Sequence, residues 1–432
     1  MKKINVGIFG CGTVGKGVVQ VLHQFGSLIE QRTGFSLQVA RVVDRSLKKG
    51  ECPHLDFSLV SKRSEELLED PRIDVVVELI GGVDASRDFV LKALKAGKHV
   101  VTANKALLAE HGKEIFQAAA QAERDLYFEA SVAGGIPIVK ALREGLVANQ
   151  IEALYGIVNG TCNYILTQMQ EASLSFKEVL KEAQKKGYAE KDPSFDVEGI
   201  DSAHKLSLMA SLMSGQWVDY RKISVEGISA LSHEDFKYAA ELGYVIKLLA
   251  IAKEVDGELD VRVHPTLLEK KHPLANVSGV FNSIFVKASP VGDSLFYGRG
   301  AGALPTASAV VSDLVDVARN MMSATPNRIP PFWQATHPKK LKPSERVESE
   351  YYLRFSVIDT PGVMGKIASI LGKQKISISS VIQKERNEGG AVTVVVLTHL
   401  ASQTKLDKAL TEIDALDFVK KKTMMIRLER ED

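Results

Sequence analysis

A chain of 432 residues exceeds what one compact core holds, so two or three domains are expected. Its 55 basic and 53 acidic side chains leave a formal net charge of +2, which gives no electrostatic reason for a nucleic-acid or anionic-membrane partner. No apolar run approaches the roughly 18 residues of a membrane helix, and three cysteines (Cys11, Cys52, Cys162) fit a reducing cytoplasm better than a disulfide framework.

The start, Met1-Lys2-Lys3-Ile4, carries no signal-peptide pattern and runs straight into "INVGIF", a short branched apolar run that reads as a buried strand. "GCGTVGKGVVQVL" follows. Gly10, Gly12 and Gly15 form a GxGxxG, and helical periodicity in Val14, Val18, Val19 and Leu22 begins inside it. Strand before and helix after turn a weak motif into a dinucleotide cradle, with cofactor contacts expected along Phe9, Gly10, Gly12, Thr13, Val14 and Gly15. "LQVARVVD", "DVVVELIGG", "HVVTANK" and "LYFEASV" repeat the strand signal with helical stretches between them. That alternation implies an α/β doubly wound parallel sheet, with ligands beyond the carboxyl ends of the strands, where Lys105 and Glu129 are expected. Asp44 is the candidate partner of a ribose hydroxyl, although it lies further from the glycines than the usual spacing of about 20 residues. A turn residue after a strand is the lesser reading of Asp44, and Arg45 beside it suits a 2′-phosphate, so NAD and NADP both stay open.

"GYAEKDPSFDVEGIDSAHK" gathers Glu190, Asp192, Asp196, Glu198 and Asp201 just before an apolar helix. A solvated helix start is one reading, with Asp196 as an N-cap and Asp201–Lys205 as a surface pair at i,i+4. The apolar residues after Lys205 favour the other: a buried face in which carboxylates hold a cation and a lysine of lowered pKa moves a proton, with Lys105 as a second cation. Glu198 and Asp192 read as solvated charge. Cys162, in "NGTCNYIL", lacks an accompanying base and reads as a small buried hydrophobe, and His204 should point away from the face of Lys205. "TPNRIPPFWQATHPKKLKP" reads as a linker or a wrapped extended segment. Beyond it, "YYLRFSVIDTPGVMGKIASILGKQKISISSVIQKE", a "RNEGGA" hairpin turn, "VTVVVLTHL", "TKLDKALTEI" and "KKTMMIRL" spell a ferredoxin-like βαββαβ order.

Taken together, "GIFGCGTVG", "TANK", "FEASVAGGIPI", "NGTCNYIL", the acidic stretch and "YGRGAGALPTASAV" resemble the bacterial homoserine dehydrogenases with an appended regulatory domain. The resemblance covers nearly the whole chain. It implies a Rossmann NAD(P)-binding domain over 1–135, an α+β catalytic and dimerisation domain over 136–323 whose last helix returns to the first, a linker over 324–349, and an ACT domain over 350–432. Lys205 matches the proton donor and acceptor, and Lys105 the lysine that contacts the cofactor. Glu190, Asp196 and Asp201 match carboxylates around the amino-acid substrate. Glu129, Val132, Gly134 and Ile136 match a monovalent-cation loop for Na+, Gly302 a loop returning to the nicotinamide, and Asp359, Gly362 and Val363 an effector loop with threonine as ligand. The implied reaction interconverts L-homoserine and L-aspartate 4-semialdehyde in threonine, methionine and isoleucine biosynthesis, in a cytoplasmic homodimer or homotetramer. A non-catalytic dinucleotide and amino-acid sensor and a dehydrogenase of another amino-acid semialdehyde are the alternatives. On this reading the tail buries its own core, and a chain stopped near Lys340 keeps its activity.

Overall fold

The computed structural model describes residues 2–330, 334–384, 387 and 390–430, so half of the expected "RNEGGA" turn lies outside the described residues. In chain order the first elements are β1 (Lys2–Phe9), α1 (Thr13–Thr33), β2 (Phe35–Val43), β3 (Val60–Ser61), α2 (Glu65–Leu68), β4 (Val75–Glu78), α3 (Asp84–Lys95), β5 (His99–Thr102), α4 (Lys105–Gln121) and β6 (Leu126–Tyr127). Then come α5 (Ile138–Lys140), β7 (Gln150–Ile157), α6 (Gly160–Glu171), α7 (Phe176–Lys185), α8 (Ser194–Val197), α9 (Ile200–Ser214), β8 (Ser224–Val225) and α10 (His233–Glu241). Strands β9 (Tyr244–Val255), β10 (Glu258–Glu269), β11 (Phe281–Ser289) and β12 (Gly292–Arg299) precede α11 (Ala303–Met322). The tail holds β13 (Glu348–Ile358), α12 (Val363–Lys373), β14 (Ile378–Gln383), β15 (Ala391–Thr398), β16 (Ala401–Ser402), α13 (Gln403–Asp414) and β17 (Val419–Glu429).

Two compact units result. The first comprises 1–151, 204–222 and 281–338, the second 152–203, 223–280 and 339–432. In the first, six parallel strands lie in the order β3-β2-β1-β4-β5-β6. The order reverses between β1 and β4, which makes their carboxyl ends the ligand-binding crevice of a doubly wound sheet. Ile4, Val6 and Ile8 of β1 pack with Val18 and Val19 of α1 and with Val310, Leu314 and Val317 of α11. Gly17 permits the approach of those two helices, since a Cβ there would sit 2.6 Å from the Ala303 carbonyl oxygen. Each fully buried side chain of this kind contributes about 1.5–3 kcal/mol of transfer free energy. α1 stops at Gly34, which takes φ 80° and returns its N–H to the Glu30 carbonyl.

In the second unit, β7, β9, β10, β17, β13, β15 and β14 are neighbours in that order. The tail portion, β17-β13-β15-β14, has the antiparallel ferredoxin-like arrangement with α12 against α13, and Tyr351, Leu353, Phe355, Ile367, Leu371, Val394, Leu406 and Ile413 form its core. The tail therefore buries its own core, as its pattern predicts. It is not self-contained. β17 pairs in parallel with β10 (Thr266↔Arg427, Leu267↔Leu428, Leu268↔Glu429), and the segment before it is pinned to the same strand by Leu259 N–H to the Lys340 carbonyl and Lys342 N–H to the Leu259 carbonyl. The Pro-rich stretch is a wrapped segment where it is described, and the expectation of a freely removable tail is corrected by this shared sheet.

Candidate functional site

In the first unit the three glycines do different work. Gly10 takes φ 98°, and a Cβ on it would meet Leu79 backbone atoms at 2.7 Å. A Cβ on Gly15 would meet the Gly10 carbonyl oxygen at 2.4 Å. Gly12, the N-cap of α1, has nothing within 4 Å, so its missing side chain serves no packing within the chain. Room over backbone amides at the head of a helix with no side-chain cap is what a pyrophosphate needs, and these residues fit a dinucleotide. Asp44 follows β2. Its Oδ2 accepts the Cys11 amide at 2.7 Å, and its Oδ1 accepts the Ser46 amide and hydroxyl and the Leu47 amide. Burial pulls its pKa up, but those donors outweigh burial and hold the carboxyl below the usual carboxylate range. The turn-residue reading of Asp44 is thus realised, and the same carboxylate braces the glycine loop. Burial and the neighbouring Cys52 push the Cys11 thiol up to about 12, which leaves it inert.

Lys105 is not at a strand end. β5 stops at Thr102, and Asn104 caps α4 by accepting the Leu107 amide at 3.1 Å, so Lys105 opens the helix. Local chemistry explains the shift, because Asn favours the cap position and "TANK" therefore ends a strand early. Asn104 also donates to the Gly82 carbonyl at 2.7 Å and to the Ser86 hydroxyl. Beneath it lies Glu78, fully buried at the end of β4, which accepts Thr102 Oγ1 at 2.7 Å, Ser86 Oγ at 3.1 Å and the Ile80 amide at 3.0 Å. Burial raises the Glu78 pKa against the pull of those donors. Glu78 joins the "LIGG" loop to the "TANK" loop. Sequence reasoning missed it, though a carboxylate closing an apolar strand just before Gly-Gly was a usable signal.

Glu129 also lies past a strand end, in the single turn Glu129–Ser131 after the two-residue β6. It is buried, and its carboxylate accepts the Val139 amide at 2.8 Å and the Lys140 amide at 2.7 Å, while its own amide donates to Asp313. Burial raises it to about 7 against those two amides, and Asp313 is held well above the usual carboxylate range by burial and by the Glu129 charge. Each carboxylate oxygen thus accepts one amide N–H from the start of α5. Ala133 and Gly134 take φ 53° and 55°, and Val132, Gly134 and Ile136 are buried. Among the described residues no group of three or more His, Cys, Asp or Glu side chains suits a metal ion. Gly302, at φ 122°, is the N-cap of α11.

Lys205 lies in the stretch of α9 that belongs to this unit and is 9% exposed. The His204 and Tyr220 rings meet edge to face, 4.2 Å between centroids. Beyond the helix, Trp217 packs against Gly112 and Phe116 of α4, the helix that Lys105 begins.

In the second unit the acidic stretch separates into distinct roles. Asp196 is not an N-cap: it lies inside α8, and Asp192 instead accepts the Ser194 amide and hydroxyl at that helix's start. Asp196 Oδ1 and Asp201 Oδ2 each accept a hydrogen bond from Asn159 Nδ2 at 2.8 Å. Asp201 is 3% exposed. Glu190 stands apart on the surface, where its carbonyl accepts from Gln184. Glu198 is exposed. Cys162 is buried, its thiol donating to the Asp196 carbonyl, which bears out the reading of a small core residue. In the tail, Gly362 takes φ 92° at the N-cap of α12 with open space where its side chain would be, and Val363 is buried. Asp359 accepts the Asn387 amide at 2.8 Å, so it closes the loop.

Family models match nearly all of this. One described as "Homoserine dehydrogenase, NAD binding domain" matches residues 10–129, one described as "Homoserine dehydrogenase" matches 137–315, and one for the ACT domain matches 351–418. A curated homoserine dehydrogenase of Neisseria gonorrhoeae is 45% identical over 99% of both chains. The crystal structure of a homoserine dehydrogenase from Thiobacillus denitrificans superposes with a TM-score of 0.94 at 46% identity, over 100% of this chain and 99% of that one. A hyperthermophilic archaeal homoserine dehydrogenase in complex with NADPH gives a TM-score of 0.62 at 26% identity, over 74% of this chain and 98% of that one.

Proposed function

We propose a division of labour among residues for a chain that belongs to the homoserine dehydrogenase family. The protein is an oxidoreductase with an NAD-binding domain and a C-terminal ACT domain. The bound nicotinamide supplies or accepts the hydride. Lys205 gives a proton to the semialdehyde oxygen in reduction and takes it from the L-homoserine hydroxyl in oxidation. Asp196 and Asp201 hold the substrate α-ammonium through charge-assisted hydrogen bonds, with Glu190 closing over it from the surface. Lys105, at the head of α4, contacts the nicotinamide side and adds positive charge. Phe9, Gly10, Gly12, Thr13, Val14, Gly15 and Gly302 line the cofactor, and Asp44 and Arg45 meet the adenosine ribose. The NADPH complex of the archaeal relative supports NADP use, and Arg45→Ala should then harm NADP turnover more than NAD turnover.

The observation that carries the assignment is α9 itself. A helix buried from Asp201 to Met213 carries a carboxylate and, one turn later, a lysine. Burying ionisable groups is costly, and on a surface helix the same pair would be worth only about 0.3–0.5 kcal/mol. The test is Lys205→Ala in homoserine oxidation: kcat should fall by about two to four decades with the fold intact. Undiminished turnover in a folded variant would refute the role.

Na+ is proposed at backbone oxygens of Glu129, Val132, Gly134 and Ile136, the residues that match a cation loop. Activity that is equal in sodium and choline salts would remove it. Threonine, the end product of the proposed pathway, is the proposed effector at Asp359, Gly362 and Val363, and a threonine titration decides it. Three buried free cysteines support a cytoplasmic setting, and the exposed Leu295 and Tyr297 of β12 support a homodimer or homotetramer, which sedimentation would measure.

A further inference from the structure

We infer that Asn159 is a positioning residue for the homoserine reaction: its side-chain amide holds Asp196 and Asp201 together as one anionic clamp. The inference rests on the reading of those two carboxylates as the ammonium site.

Asn159 sits between β7 and α6, in backbone of φ −121° and ψ 108°, as the N-cap of α6. It is buried, at 5% exposure. Its Oδ1 accepts the Cys162 amide at 2.8 Å, and its main-chain carbonyl accepts the Asn163 amide at 3.1 Å. These contacts fix which end of the side chain is which. A backbone N–H can only donate, so the oxygen must face α6 and the NH2 group must face away from it. That group has two hydrogens, and two carboxylates stand before it: Asp196 Oδ1 and Asp201 Oδ2, each at 2.8 Å. Every polar atom of the side chain is thereby used, and the two acceptors come from different helices, α8 and α9.

The arrangement answers an electrostatic difficulty. Oxygens that both lie 2.8 Å from one nitrogen are within about 6 Å of each other, and two carboxylates that close repel unless something between them carries positive charge. An amide offers two N–H dipoles. It holds the carboxylates at a set spacing and adds no net charge of its own. Preorganisation of this kind lowers the cost of binding, because the ligand need not gather the two groups itself.

The alternative is that Asn159 only caps α6. Serine and aspartate at position 159 separate the two roles, since both supply the cap oxygen and neither supplies the NH2. With Asn159→Ser, KM for homoserine should rise by about tenfold to a hundredfold, the scale of a lost hydrogen bond to a charged group, with KM for NADP and the melting temperature near the wild-type values. Asn159→Asp adds a third carboxylate and should raise homoserine KM further, with kcat falling less than KM rises. Wild-type kinetics in both variants would overturn the inference and leave a helix cap. A parallel fall of kcat and melting temperature with a rise of both KM values would also overturn it. Asp196→Asn and Asp201→Asn complete the set. If they leave homoserine KM unchanged, the ammonium-site reading fails. If they raise it while the Asn159 variants do not, only the clamp fails.

Discussion

The six-stranded sheet of the cofactor half and the four-stranded sheet of the tail each come from one continuous stretch of chain, yet they satisfy their buried polar groups differently. In the cofactor sheet, Glu78 finds its donors in Ile80, Ser86 and Thr102, all within the same stretch, and the outermost strands β3 and β6 are two residues long. In the tail, fully buried Tyr352 and half-buried Arg354 of β13 reach out to Asp235 of α10. Arg427 of β17 pairs with Glu226 at 2.8 Å, and Glu429 takes Lys253 at 2.6 Å and Tyr155 at 3.1 Å. Both modules have a hydrophobic core. The first closes the Glu78 cluster within its own stretch and reaches out at its β6 end, where Asp125 and Tyr127 meet Asn320 of α11. A core makes a segment recognisable, but independence also requires that its charges and strand edges find partners inside it.

The largest expected effect comes from stopping the chain at Lys340. This removes β13 and β17, bares the edge of β10, and strips Asp235 of Arg354. Asp235 is fully buried, and a buried charge left without its partner costs about 3–5 kcal/mol before any lost core is counted. The truncated chain should fail to accumulate as soluble dehydrogenase. Soluble protein with full turnover would restore the tail as a detachable module. A smaller change probes the same seam. Asp235→Asn keeps the tail but ends its bidentate pairing with Arg354, so urea denaturation should show a loss on that same scale of about 3–5 kcal/mol. A loss below 1 kcal/mol would mean that the seam contributes little.

The smallest effect belongs to the Glu78 cluster, whose partners are all local. Glu78→Gln exchanges an acceptor of three hydrogen bonds for a group that must also donate, at a cost of about 1–3 kcal/mol. Because burial raises the folded-state pKa of Glu78 above its ordinary 4.5, the stability that its carboxyl contributes is complete below pH 4.5 and is lost as pH rises toward the folded value. The stability gap between wild type and variant should therefore narrow as pH rises above 4.5, read by thermal melts. A gap that widens would show that the buried carboxylate is favoured as the anion.

Sequence reasoning reached the glycine loop, the parallel sheet, the βαββαβ tail and the charged face of α9 because each is written in local periodicity and spacing. Strand before and helix after Gly10–Gly15 leave few alternatives, and thirteen consecutive buried residues from Asp201 to Met213 follow from the apolar run after Lys205. What the sequence could not determine was which polar atoms meet. Lys105 moved off its strand because Asn104 caps a helix, and Asp196 became a partner of Asn159 rather than a cap. Asn159 and Asp201 are joined across 42 residues, and Arg427 and Glu226 across about 200. Periodicity reports which face of an element is buried, since burial depends on the element alone. A hydrogen bond depends on the position of two elements to within a few tenths of an ångström, and only the folded chain sets that.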